Sequence, residues 1–270
     1  MNIRLSWQIF SMEIRKVFAY RSDFWLSFIV SLLSQFTAAW FLWKSIFGYK
    51  GVESIGGYSF SAMMFYYLLV PIIGRTAYGG NHGDISMEIY QGTLTRYLIY
   101  PVSFFRFKML VHFAGAAILL VQLLLVIGIV VLFFPGLTAE YHLSSVHLLQ
   151  GIFTIGTSVL LYFIFSSWIQ LIAFWADQIW SLSAIIRFIT SLLGGSLIPL
   201  TLFPDSIQPI LKLLPFSYFV HFPLQCFFGN VPLHEWLQGL FIMACWGTVF
   251  ITIFRFVWYR GNLQYTGVGI

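Results

Sequence analysis

FFRFKMLVHFAGAAILLVQLLLVIGIVVLFF, residues 104–134, is the stretch on which the fold turns. Its two charges, Arg106 and Lys108, stand in the first five residues, and everything after them is apolar or uncharged. About 20 such residues at ~1.5 Å rise cross the ~30 Å hydrocarbon core of a bilayer. This segment is long enough to do so and also to tilt or extend beyond it.

The same reading, carried outward, gives six spans at about 24–47, 58–78, 104–134, 147–175, 180–203 and 236–258. Composition agrees. Hydrophobic residues make up 59% of the 270 and charged residues 9%, with a mean hydropathy of +0.86. A soluble domain carries roughly 25% charge to cover its surface, so most of this surface must face lipid. The 30 Phe suit hydrocarbon, and the 14 Tyr and 10 Trp suit the interface. The net charge of +5 forms no basic stripe with interleaved aromatics, so nucleic acid is not an expected partner. Cys226 and Cys245 make neither a disulfide framework nor a metal-ligand spacing. The first apolar run is too long for a signal peptide and lacks a small-residue cleavage site, so the N-terminus is expected to stay attached.

Charge sets the expected orientation. Arg4, Arg15, Lys16, Arg21, Arg75, Arg96, Arg106, Lys108, Arg255 and Arg260 fall on one side, and Lys44, Lys50 and Lys212 on the other. The positive-inside rule makes the first side cytoplasmic, with both termini there. Residues 1–21 form a basic amphipathic stretch: Ile3, Trp7, Phe10, Ile14, Val17 and Phe18 share one arc, and Arg4, Gln8, Ser11 and Arg15 another. Such a helix lies in the interface, as a topology anchor or as a lever into the first span.

Two segments read as more than connections. In 79–103, Ile85 and Ile89, then Leu94, Tyr97 and Leu98, repeat at helical spacing; Gly92 separates them and Pro101 stops the second. Two short helices with a bend are expected, flanked by Asp84, Glu88 and Arg96, either as a plain re-entry loop or as a docking surface for a soluble partner. Between the fifth and sixth spans, six of nine prolines (Pro199, Pro204, Pro209, Pro215, Pro223 and Pro232) forbid one continuous helix in an apolar stretch. Either an outer loop rests on the bilayer, or short helices around 204–234 dip in and return as a lid.

Ionisable groups inside the spans are few. Arg187 either snorkels to the interface or pairs with Asp177 or a neighbouring subunit. Gln35, Gln122 and Gln170 are expected to bond between helices. The histidines make no HExxH and no metal cluster. No GxxxxGK[ST] loop, GxSxG elbow or paired-carboxylate arrangement is present, so no catalytic residue is assigned, and any energy the chain uses is expected from another subunit or an ion gradient.

Glu88-Ile89-Tyr90-Gln91-Gly92-Thr93-Leu94 with Leu98 and Pro101-Val102-Ser103, then GSLIPLTLFPDSIQPILKLLPF from Gly195 to Phe216, then RGNLQYTGVG at 260–269, together resemble the permease subunits of bacterial ABC-2-type exporters. The resemblance covers the whole chain and is nearest to a branch of small six-span permeases often encoded in pairs. It implies an all-α integral membrane protein in one domain, 1–270: six transmembrane helices, an N-terminal interfacial helix, a cytoplasmic coupling helix and extracytoplasmic re-entrant helices. It implies residence in the bacterial inner membrane and two P-loop ATPase partners carrying ATP and Mg, with no cofactor or metal in this chain. A second permease, identical or related, completes the pathway. Asp84, Ile85, Glu88, Ile89, Gly92, Thr93, Leu94, Tyr97, Leu98 and Pro101 would couple to the ATPase. Pro199, Phe203, Pro204, Pro209, Leu214, Pro215 and Phe216 would form the outer gate. The implied substrate is amphipathic or hydrophobic, such as a drug or organic cation. Trp40, Phe65, Tyr66 and Arg187 are candidates for its path, unless the rings simply face lipid or form the interfacial belt. The alternative is a gradient-driven transporter or channel.

Overall fold

The computed structural model describes residues 3–79, 84–99, 103–134, 136, 141, 144–176 and 179–266. Among the described residues, five helices are long and apolar enough to cross a membrane: α2 (Arg21–Lys50), α3 (Phe60–Tyr78), α6 (Phe104–Phe133), α7 (Ser145–Gln170, continued by a 3₁₀ turn Leu171–Phe174) and α11 (Leu233–Asn262). Before them runs α1 (Ile3–Ala19); between α3 and α6 lie α4 (Asp84–Tyr90) and α5 (Leu94–Ile99). The fifth apolar segment is α8 (Trp180–Leu193), followed by α9 (Gln208–Leu213), a 3₁₀ turn Pro215–Tyr218 and α10 (His221–Phe227). A two-stranded hairpin, Ser54–Ile55 with Tyr58–Ser59, leads into α3, whose N-cap Ser59 accepts from the Ala62 N–H.

The core forms around α3. Met63, Phe65, Tyr66 and Ile73 have no exposed surface, and α2, α6, α7 and α10 close around them. The outer helices are bare: α2 buries Phe28, Ala39 and Trp43 and leaves Leu26, Leu33, Phe41 and Leu42 exposed. In water that surface would be untenable; in lipid it is the expected face of a span.

Two expectations change. The helix in α8 runs only to Leu193, 14 residues or ~21 Å, rather than to 203. Gly194 and Gly195 break it, Gly195 at φ 81°, where an L side chain is strained. The second change concerns α1, which packs on α6. It buries Ile9, while Trp7 and Phe18, two residues of the expected apolar face, remain exposed. An interfacial helix can offer one face to protein and a second to lipid, and sequence periodicity does not distinguish them.

Breaking α8 frees backbone carbonyls in an apolar setting, and side chains from elsewhere satisfy them. The Tyr66 hydroxyl donates to the Gly195 carbonyl, and Tyr67 donates to Leu197 at 2.9 Å. Ser158 of α7 donates to Tyr218 (2.7 Å), Tyr218 to Lys212 (2.8 Å) and Trp246 of α11 to Leu213 (2.9 Å). The returning chain then buries Phe219, Val220, Leu224, Phe227 and Phe228 against α3 and α7.

Replacing Tyr66 by Phe keeps the ring and leaves the Gly195 carbonyl buried without its donor, a loss of about 1–3 kcal/mol. Faster amide exchange over residues 194–197 and a lower melting temperature in detergent are expected.

Candidate functional site

The α4–α5 hairpin is assembled from three distant parts of the chain. The Gln170 side chain, at the end of α7, accepts the Ile85 N–H at 3.0 Å, satisfying a first-turn donor of α4. The 3₁₀ turn Leu171–Phe174 packs along α4. Ile85, Ile89, Leu94 and Phe104 close a second apolar core with Leu171, Ala173, Phe174 and Ile179.

Glu88 is the hub within the hairpin. Its carboxylate accepts from the Thr93 hydroxyl, from Lys108 Nζ at 3.0 Å and from the Tyr97 hydroxyl at 3.2 Å, with Arg96 at 3.9 Å. Lys108, on α6, is only 11% exposed at its side chain, so this pair ties the hairpin to a long helix. Burial pushes the Glu88 carboxyl pKa up. The hydrogen bonds from Thr93, Lys108 and Tyr97 and the Lys108 charge outweigh it, and the net shift is below the ordinary carboxylate range.

The bend at Gly92 (φ 70°) is held by Tyr265, beyond the end of α11. The Tyr265 hydroxyl donates to the Gly92 carbonyl at 2.7 Å, accepts the Thr95 N–H at 3.2 Å and lies 3.1 Å from Thr95 Oγ1. Its ring meets Phe174 edge-on with centroids 6.0 Å apart. Sequence reading did not single out Tyr265; the RGNLQYTGVG tail was the one signal, and about 170 residues separate it from the bend it holds.

The residues expected to dock a partner are placed unevenly. Ile85 (3%), Ile89 (1%) and Leu94 (0%) face the bundle, where a partner cannot reach them. Glu88, Thr93 and Tyr97 bond inside the hairpin and Gly92 forms its bend. Pro101 and the side chains of Asp84 and Leu98 lie outside the described residues. Among the described residues of the hairpin, the exposed ones are Met87, Gln91, Arg96 and Ile99. The stripe was real, but it packs on the protein's own 3₁₀ turn.

At the opposite end of α11 is a cavity of about 630 Å³ between the returning segment and the first turns of α11. Polar groups (Gln208, Lys212, His221, Gln225, His234, Glu235) share its wall with Leu213, Phe222 and Ile242. Of the expected gate residues, Pro209 lines it; Pro199 and Pro215 are buried, Phe203, Leu214 and Phe216 half-buried, and Pro204 exposed.

The expected path residues do not converge. Phe65 stacks on Phe228 and Tyr66 holds the Gly195 carbonyl, both without exposed surface, so each is structural within this chain. Lys44 Nζ sits 4.3 Å from the Trp40 ring centroid. Arg187 is half-buried beside a cleft of about 40 Å³ with Gln170 and Tyr162; Asp177, its expected partner, lies outside the described residues. Gln35 bonds Ser31 on its own helix rather than a neighbour. Among the described residues no three His, Cys, Asp or Glu gather as a metal site.

A family model described as ABC-2 family transporter protein matches residues 33–269. The chain belongs to the ABC-2 transporter family. Comparison with curated proteins and with solved structures found no match. The match takes in α3 to α11, hence the hairpin, the returning segment and Tyr265. Membership makes the chain a multi-pass transporter permease, a membrane subunit of a family that works with an ATPase partner.

In this permease, Glu88→Ala removes the brace and strands Lys108, making local opening of the hairpin easier by about 1–3 kcal/mol. Protease nicking between residues 84 and 99 should accelerate, and Tyr265→Phe should act in the same direction more weakly. Because the Glu88 pKa is lowered, the brace is complete at and above the ordinary carboxylate range and is lost as pH falls through the lowered value. Hairpin exchange rates followed on acidification should rise only there, and Glu88→Gln should flatten the profile.

Proposed function

We propose that the chain is the permease subunit of an ATP-driven exporter, forming half of a translocation pathway with a second permease, identical or related. Two copies of a separate P-loop ATPase, carrying ATP and Mg, supply the energy. The α4–α5 hairpin carries this reading: a braced element at one end of the bundle, tied to α6 by Glu88–Lys108 and to the tail by Tyr265, with Met87, Gln91, Arg96 and Ile99 open. A rigid lever passes a push to the spans; a loose loop would absorb it.

In this reading the hairpin end is cytoplasmic, as the positive-inside count favours, and the membrane is a bacterial inner membrane. The chain forms one domain, with α1 at the interface and the segment over 204–234 as the outer re-entrant lid. The mixed lining of the far-end cavity suits an amphipathic substrate, such as a drug or organic cation: Phe222, Leu213 and Ile242 offer apolar contact, and Glu235 a carboxylate.

Reconstituted vesicles holding the permease and its ATPase should export only with hydrolysable ATP. Met87→Asp with Ile99→Asp should leave insertion and the fold intact, while lowering ATPase binding and transport at least about tenfold, the equivalent of ~1.4 kcal/mol. Transport that continues without nucleotide would establish a gradient-driven carrier instead.

A further inference from the structure

Between α6, α7 and α11, at the hairpin end, lies a groove of about 200 Å³ whose lining is almost wholly apolar. The Phe105 and Phe254 rings both line it and meet edge-on, with centroids 4.3 Å apart. Met109 of α6, Ile164 of α7 and Ile251 of α11 form its walls. Arg106 and Arg255 both line it, and both are exposed. Among the described residues neither guanidinium has a carboxylate within salt-bridge distance. Arg106 is the third residue of α6, and Arg255 stands seven residues, ~10 Å, before the end of α11. Both therefore sit near headgroup depth when these helices span a bilayer.

We infer that this groove is a binding site for one anionic phospholipid of the leaflet on the hairpin side. The apolar slot is several times the ~30 Å³ share of one water and offers water almost no polar partner, so an acyl chain is the occupant its surface favours. Two arginines at the rim match a phosphodiester, whose oxygens accept from the planar guanidinium fork, and basic clefts between membrane helices recognise anionic headgroups in this way. Orientation in the membrane asks only for positive charge somewhere at this end; it does not require two arginines on one acyl-sized slot. The lipid would join α6, which carries Lys108 of the hairpin brace, to α11, which leads into the Tyr265 tail.

The test uses the full-length permease in nanodiscs of phosphatidylcholine with increasing phosphatidylglycerol, with bound lipid read by native mass spectrometry. ATP is absent, so the result is independent of the exporter reading. The wild type should retain phosphatidylglycerol in preference to phosphatidylcholine. Arg106→Gln and Arg255→Gln should each weaken retention roughly fivefold, and the pair on the order of 25-fold. Met109→Trp, which fills the groove and keeps both charges, should also abolish the preference, and it provides the reading if the double variant does not fold. Lys44→Gln, at the other end of the bundle, should change nothing. Equal retention of the two lipids by the wild type, full retention by the double variant, or a preference that survives Met109→Trp would overturn the site. So would a loss of preference in Lys44→Gln.

Discussion

A backbone that leaves helical geometry inside an apolar environment must find partners for its carbonyls and amides, and the architecture depends on how it does so. The break after α8 is the point of greatest demand. Tyr66, Tyr67, Ser158 and Trp246 meet it from three different helices. Each donor is fixed by its own packing, so the returning segment is held to α3, α7 and α11 together. The same contacts position the wall of the far-end cavity, which exists because α9 and α10 stand off the start of α11 instead of continuing α8.

The opposite end follows the same rule with charge added. Glu88 gathers donors from its own hairpin and from Lys108, and Tyr265 reaches the bend from the far end of the sequence. A carboxylate surrounded by donors and a cation retains its charge despite partial burial, which lets a short hairpin behave as a rigid body. Its apolar residues then serve attachment to the bundle.

Much of this was readable in advance. The apolar run at 104–134, the shortage of charge, the bend at Gly92 and the six prolines from Pro199 to Pro232 led to membrane helices, a bent hairpin and an interrupted segment. The family resemblance, carried by the segments at 88–103, 195–216 and 260–269, agrees with the match over 33–269. What spacing leaves open is equally specific. Ile85, Ile89 and Leu94 repeat at helical spacing, and spacing does not say that Leu171, Ala173 and Phe174 lie against them. Phe65 and Tyr66 look like path-lining aromatics until Phe228 and Gly195 are placed beside them.

The sequence by itself determined that this chain lives in a bilayer, roughly where its helices lie and where they must break, because hydrophobic length and the backbone limits of Gly and Pro are local properties. The tertiary structure decided which face of each helix is buried, which distant hydroxyl or ammonium meets each orphaned group, and where open cavities remain. Those outcomes join residues up to about 170 positions apart, such as Gly92 and Tyr265. A pairing across that distance is set by how the helices pack together, and no local pattern encodes it.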